Sequence, residues 1–313
     1  MPNWRDVLQD IHARQRSGAE MAQRAVDLVR REYLAKLNQK TGRSIISYYS
    51  GWLSKPGVPQ AEINDEDKNG FMMAVHKLNR SSGLDLILHT PGGDIAATES
   101  IVDYLRRMFG KDIRAIVPQT AMSAGTMIAC SCQEILMTRH ANLGPIDPHL
   151  GGMPAYGLIS EFRRALKEIK EDPATLYVWQ PIIAQYSPTL LSQCENAIKW
   201  SNQFVREQLA SVMFEGHPQA NKLAASIVKR LTDYTGNRTH RRHIHYDECK
   251  KIGLKVALIE DDQELQDLVL TVHHCYMHSL MNTFSYKMIE NHLGNAFVKQ
   301  QRPVAIDEQL VTI

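Results

Sequence analysis

The feature that most constrains the fold is a series of short apolar segments that alternate with amphipathic segments between residues 45 and 137. Apolar runs of this length are typical of buried strands, and the segments between them have helical periodicity. Alternating strands and helices predict parallel strands covered by helices, which is an α/β core. The predicted strands are 45–49, 84–89, 113–117 and 134–137, and the predicted helices between or after them are 62–78, 95–109 and 123–131.

Helical periodicity dominates on both sides of this core. Residues 4–38 predict an N-terminal helix that packs on the body or on a second subunit. We divide the chain into a helical arm (1–44), a core (45–260) and a helical tail (261–313). Further predicted elements are helices 158–170, 188–214, 219–231 and 247–252, a strand at 254–259 and a helix at 263–289, followed by about 20 irregular residues.

Composition narrows the class of protein. A chain of 313 residues with 43% hydrophobic and 22% charged residues is typical of a globular protein of one large or two smaller domains. The net charge of +2 gives no drive toward nucleic acid. No apolar run approaches about 18 residues, so we expect no integral membrane segment. The N-terminus lacks a signal-peptide pattern, and five irregularly spaced cysteines favour a cytoplasmic location.

The first turn that is a candidate for a functional site is HTPGGD, which follows the second predicted strand. Pro91 fixes φ, and Gly92 and Gly93 allow conformations that are closed to other residues. Amide N–H groups exposed before a helix suit an anion or a developing oxyanion. Taken by itself, this motif could also be a strand-to-helix turn with no role in function.

The second turn is AMSAGT, which places Ser123 at the start of a helix of small residues. This arrangement is similar to the nucleophile elbow G-x-S-x-G, with alanine in the first glycine position. The helix N-terminus stabilises negative charge, and the N–H of Ala124 is a candidate oxyanion donor. The alternative is that Ser123 only caps the helix.

The two turns are more informative together. Gly93 and Ser123 lie thirty positions apart, a distance that one helix and one strand fill. Successive strands of a right-handed β-α-β crossover end at the same edge of the sheet, where α/β folds bind ligands. We therefore expect the glycine turn and the serine turn to open on the same side.

The motifs HTPGG, AMSAGT and LGPIDP occur in this order within residues 84–152. This set resembles the serine dehydrogenase proteinase family of the ClpP/crotonase superfamily, which is related to the signal peptide peptidase A group. Weaker matches (CENAIKW, THRRHI and DECKKIGLKV) extend the resemblance over residues 45–260. The resemblance implies a ClpP/crotonase-like core of β-β-α/β-α-β units with added helices at both ends. It also implies serine peptidase chemistry that needs no metal and no organic cofactor.

Site residues follow from the resemblance. Ser123 falls on the nucleophile position, Gly92 and the amide of Ala124 fall on the oxyanion positions, and Gly93 completes the turn. Asp147 stands where ClpP-type enzymes carry their base histidine. The position of the aspartate in the ClpP Ser-His-Asp triad falls near Arg241. The ClpP triad is therefore absent at these positions.

Serine needs a neighbouring base. Imidazole accepts a proton near neutral pH, whereas lysine must first be desolvated. We favour His240 as the base, with Asp147 orienting it. The alternative interpretations are that His240 is only an exposed loop histidine and that Asp147 is only a turn residue. The other candidates for the base are His149, His89, Lys199 and Lys167.

The predicted function is a serine peptidase that acts on peptide or protein substrates as a homo-oligomer. One alternative is a crotonase-type acyl-CoA enzyme, which uses the amide oxyanion hole without a serine nucleophile. The other is a non-catalytic oligomeric scaffold that has lost its base. The sequence contains no GxxxxGK[ST] motif, so any ATP-driven delivery partner would be a separate protein.

Two further clusters are interpreted as structural. The segment HRRHIH and the later His273, His274 and Cys275 do not have zinc-site spacing. Cys130 and Cys132 form CxC rather than the redox motif CxxC, and buried free cysteines are common. We therefore predict no metal site.

Overall fold

The structure, a computed structural model, describes residues 4–16, 19–233 and 242–301. Its strands are β1 (Ser44–Ser50), β2 (Leu84–His89), β3 (Ile113–Val117), β4 (Thr120–Ala121), β5 (Glu134–Met137), β6 (Asn142–Leu143), β7 (His149–Leu150), β8 (Met153–Pro154), β9 (Ile244–His245), β10 (Val256–Leu258), β11 (Ser285–Asn291) and β12 (Ala296–Gln300).

Its α-helices are α1 (Trp4–Gln15), α2 (Ala19–Thr41), α3 (Asp67–Val75), α4 (Ile95–Phe109), α5 (Ala124–Cys130), α6 (Ala155–Glu171), α7 (Leu176–Ile183), α8 (Leu190–Gln208), α9 (Ala220–Leu231), α10 (Tyr246–Ile252) and α11 (Gln263–Asn282). A π-helical segment, Leu209–Met213, continues α8.

A large mixed sheet forms the centre of the molecule, with the strand order β10-β5-β3-β2-β1-β11-β12. The strands from β10 to β1 are parallel, and β11 and β12 are antiparallel additions at the other edge. All six residues of β2 are buried. This burial is what a parallel strand requires when helices cover both faces of its sheet.

The two faces of the sheet have separate hydrophobic cores. Leu86 and Leu88 point to the face that is covered by α3, α4 and α5. Ile87, between them, points to the face covered by α2 and α11. Side chains alternate along a strand, so the two neighbours of any strand residue face the other layer.

The four predicted core strands are confirmed, and so is the α/β fold class. The predicted helix at 62–78 is too long, because the structure has helix only over Asp67–Val75. Ile63 instead forms an isolated parallel bridge with Gly93. The sequence analysis also missed α7 and the β7–β8 hairpin.

The prediction of continuous helix over 263–289 is wrong beyond Asn282. The next segment forms β11, which pairs antiparallel with β1 so that Asn291 lies opposite Ile46. Lys287 of β11 is fully buried and forms an ion pair with Asp67 at the start of α3. The C-terminal region therefore completes the central sheet.

Candidate active site

The glycine turn and the serine turn meet at the carboxyl ends of β2 and β3, as predicted. The N–H of Met122 donates to the carbonyl of Thr90 over 3.0 Å, and the N–H of Thr90 donates to the carbonyl of Thr120 over 3.2 Å. The glycine turn leads directly into α4, where Asp94 is the N-cap and its Oδ1 accepts from the N–H of Ala97. Backbone hydrogen bonds therefore fix the two turns against each other.

Ser123 lies in a sharp backbone turn immediately before α5. Its φ of +50° and ψ of −112° are unusual for a residue with a Cβ atom. Such a conformation costs about 1–3 kcal/mol and is typical of functional sites. The side chain makes no capping hydrogen bond to α5, so the interpretation as a simple N-cap is not supported. The residue is partly exposed, and its Oγ has no hydrogen-bond partner among the described residues.

Gly92 lies directly against Ser123. A Cβ built on Gly92 would lie 2.7 Å from the Cβ of Ser123 and 2.8 Å from the carbonyl oxygen of Met122. Its φ of +103° is also unfavourable for any other residue. Only glycine lets the two turns approach this closely.

The amide of Gly92 is already engaged, because it donates to Oγ1 of Thr90 over 3.1 Å. In contrast, the amides of Gly93 and Ala124 donate to no acceptor within the described part of the chain. Unsatisfied backbone amides beside an exposed hydroxyl can hold a developing oxyanion. The geometry therefore favours Gly93 over Gly92 as the partner of Ala124, and it gives Gly92 the role of closing the turn.

Ser123 opens into a cleft of about 440 Å³, which we call the Ser123 cleft. It is lined by residues of both turns, of the β7–β8 hairpin and of α8, among them Gly93, Ser123, His149 and Trp200. Met127, Ile146 and Leu150 give it apolar walls. Ser123 and Gly93 therefore line one space.

The candidates for the base lie in different places. His149, on β7, lines the Ser123 cleft. Asp147 is 3% exposed and follows Ile146, whose carbonyl accepts from the hydroxyl of Ser201. His240 lies outside the described residues, as does Arg241 beside it.

Three other candidates for the base are placed away from the Ser123 cleft. Lys167 is a solvated residue on α6, with its side chain 75% exposed and 3.8 Å from the carboxylate of Glu171. Lys199 is exposed and lines a separate groove between α8 and α9. His89 points to the opposite face of the sheet, where it contacts the ring of Tyr49.

His89 belongs to a buried aromatic cluster on the face covered by α11. Its ring centroid lies 4.5 Å from that of Trp52, 5.4 Å from that of Tyr49 and 5.3 Å from that of His273. Neither ring nitrogen of His89 has a hydrogen-bond partner among the described residues. Burial lowers the pKa of His89 to about 3 and lowers that of His273 well below its usual value.

The described residues contain no group of three His, Cys, Asp or Glu side chains that is arranged to hold a metal ion. All five cysteines are buried and free, as packing residues would be. Burial raises the pKa of the Cys132 thiol to about 12, which keeps the thiol protonated. Nowhere in the described ranges is there a helix with the length and hydrophobicity needed to cross a membrane.

The large, mostly parallel sheet covered by helices places the protein in the α/β class, and this fold fits that of ClpP-like proteins. The family model described as "ClpP-like SDH-type serine proteinase" matches residues 18–289, and the chain belongs to this family. The resemblance drawn from HTPGG, AMSAGT and LGPIDP is thereby confirmed.

Two relatives are uncharacterised proteins of Methanocaldococcus jannaschii. One is 30% identical over 254 residues, which cover 80% of this chain and 79% of the relative. The other is 27% identical over 240 residues, which cover 76% of this chain and 74% of the relative. The matches span most of each protein.

Proposed function

We propose that this protein is a serine peptidase in which Ser123 is the nucleophile. The observation that carries the proposal is the position of Ser123, which is held in a strained turn and opens into the Ser123 cleft, while the amides of Gly93 and Ala124 find no acceptor among the described residues. Membership of a ClpP-like serine proteinase family supports the same chemistry.

In this mechanism Oγ of Ser123 attacks the carbonyl carbon of the scissile peptide bond while a base takes its proton. The carbonyl oxygen becomes an oxyanion that accepts hydrogen bonds from the N–H groups of Gly93 and Ala124. The base then returns the proton to the leaving amine, and water hydrolyses the acyl-enzyme. Each oxyanion donor contributes about 10²–10³ in rate in comparable enzymes.

For the base we propose His240, with Asp147 orienting it, and we keep His149 as the competing candidate because it lines the Ser123 cleft. Measuring kcat of His240→Ala and of His149→Ala on the same peptide substrate decides between the two candidates. Loss of the base lowers kcat by orders of magnitude. Full retention in His240→Ala would remove His240 from the mechanism. An Asp147→Asn variant that lowers kcat with little change in KM supports the orienting role.

The proposal is tested by labelling with a fluorophosphonate probe, followed by peptide hydrolysis. We expect the wild-type protein to be labelled and Ser123→Ala to be unlabelled and inactive. Ser131→Ala is a matched control, because Ser131 lies at the other end of α5 and donates to the carbonyl of Met127. Absence of labelling in every oligomeric state would refute an activated serine and favour the scaffold. Retention of activity in Ser123→Ala, on an acyl-CoA thioester, would favour the crotonase alternative.

We further propose that the protein acts as a cytoplasmic homo-oligomer on peptide or protein substrates, with no nucleic-acid partner. Five buried thiols without disulfides support a reducing compartment. Analytical ultracentrifugation, which gives the mass in solution, tests whether the protein forms a homo-oligomer. A monomeric mass would contradict this proposal.

A further inference from the structure

The charged side chains that line the Ser123 cleft within the described residues are all negative. Glu62 and Asp94 line it, whereas no lysine or arginine does so among the described residues. The chain as a whole carries a net charge of +2, so this negative lining is not a reflection of the overall composition. A cleft lined by charges of one sign concentrates ligands of the opposite sign.

The backbone places Glu62 and Asp94 beside the glycine turn. Ile63 pairs in parallel with Gly93, and its N–H donates to the carbonyl of Gly92 over 2.8 Å while its carbonyl accepts from the N–H of Asp94 over 2.9 Å. Glu62 immediately precedes Ile63, and Asp94 immediately follows Gly93. Ile63 is buried, whereas Glu62 and Asp94 are both exposed and both line the Ser123 cleft.

Neither carboxylate forms an ion pair with a lysine or arginine of the described residues, and both residues are exposed. The nearby ammonium of Lys287 donates to the backbone carbonyl of Glu62, but its charge is balanced by Asp67. Lys68 donates instead to the hydroxyl of Ser100. Within the part of the chain that the structure describes, the negative charge at the cleft is therefore available to a ligand.

Trp200 of α8 supplies an aromatic wall to the same cleft. Its indole N–H donates to Oε2 of Glu99 over 2.7 Å, which fixes the orientation of the ring, yet the residue is 44% exposed. A fixed and accessible indole is the side chain that best attracts a Lys or Arg cation over its face.

We propose that the Ser123 cleft selects polypeptides that carry a lysine or arginine side chain close to the scissile bond, with Glu62 and Asp94 as the residues that determine this specificity. The inference rests on the proposed peptidase function. Gly93 is both the proposed oxyanion donor and the bridge partner of Ile63, so a cation held by these carboxylates lies near the carbonyl under attack.

The first test compares internally quenched peptides that differ only in having lysine or acetyl-lysine at one position. We expect a higher kcat/KM for lysine at one or more positions near the cleavage site. The double variant Glu62→Gln/Asp94→Asn is expected to lower this lysine preference by about 2- to 30-fold, because two carboxylate–cation pairs near the surface are removed. Asparagine retains the capacity to cap α4.

Asp65→Asn is the matched control, because it removes the same charge from an exposed residue that does not line the cleft. We expect it to leave the lysine preference unchanged. The preference should also weaken as salt is raised from about 50 mM to about 500 mM, since salt screens exposed charges.

The second test measures binding without catalysis. With Ser123→Ala as the background, fluorescence anisotropy gives the Kd of each labelled peptide. A lower Kd for lysine than for acetyl-lysine, lost in the double variant, supports charge selection even if the protein proves to have no peptidase activity. Equal affinities, together with equal kcat/KM for any peptides that are cleaved, would overturn the proposal. Failure of the probe to label Ser123 would count only against the peptidase function.

Discussion

The buried histidine His89 makes the stability of the protein depend on pH in a way that the structure specifies. Folding removes its ring from water completely, and both ring nitrogens lack hydrogen-bond partners among the described residues. The pKa of His89 is about 3 in the folded state, against about 6.5 in an unfolded chain. Below pH 6.5 the unfolded chain therefore takes up a proton that the folded protein does not, and stability falls as the pH falls toward 3.

Linkage gives the size of this effect. With these two pKa values, lowering the pH from 7 to 5 favours the unfolded state by about 2 kcal/mol through His89 alone. His273 acts in the same direction, because burial also lowers its pKa. Leucine at position 89 removes the titrating group and the unsatisfied ring nitrogens, which cost about 1–3 kcal/mol when left unpaired.

The assay is urea unfolding followed by circular dichroism at pH 7, 6 and 5. We expect wild-type protein to lose about 2 kcal/mol more stability over this range than His89→Leu. His76→Gln is the control, because His76 is exposed and its replacement should leave the wild-type pH dependence in place. Equal losses in wild type and His89→Leu would refute the assignment of this acid sensitivity to His89.

Two substitutions test the packing that supports the site. Gly92→Ala should abolish fluorophosphonate labelling in a protein that still folds, since its Cβ would lie 2.7 Å from that of Ser123; labelling at the wild-type rate would contradict the close approach of the turns. Lys287→Met should lower the free energy of unfolding by about 3–5 kcal/mol, because it leaves the buried carboxylate of Asp67 without its cationic partner. A loss below about 1 kcal/mol in urea unfolding would contradict the buried pair.

The parallel core was predictable because its signals are local. The strands 84–89 and 113–117 are short apolar runs bounded by polar turns, and the structure has them at the same residues. The two turns were also found from local chemistry, since proline, paired glycines and a serine among small residues carry their conformational preferences with them.

The elements that the sequence analysis missed depend on pairing with residues that are distant in the sequence. Strand β11 follows α11 closely, and the residues that make it a strand are those of β1, about 240 positions earlier. Ile63 likewise leaves the predicted helix because its backbone forms hydrogen bonds with Gly92 and Asp94. No pattern within 62–78 or 263–289 reveals these partners.

The candidate site was predicted in part for the same reason. Ser123 and Ala124 follow from the elbow pattern, whereas the choice between Gly92 and Gly93 depends on Thr90, whose hydroxyl occupies the amide of Gly92. The contribution of Trp200 to the cleft was missed, because α8 is brought to the site only by tertiary packing. Its position in the motif CENAIKW was the one available signal.

A crystal structure of the fluorophosphonate adduct is the most direct test of the account. The account predicts phosphorus bonded to Oγ of Ser123, with the phosphonyl oxygen about 3 Å from the amide nitrogens of Gly93 and Ala124. An adduct on another residue, or one on Ser123 whose phosphonyl oxygen points away from both amides, would contradict it.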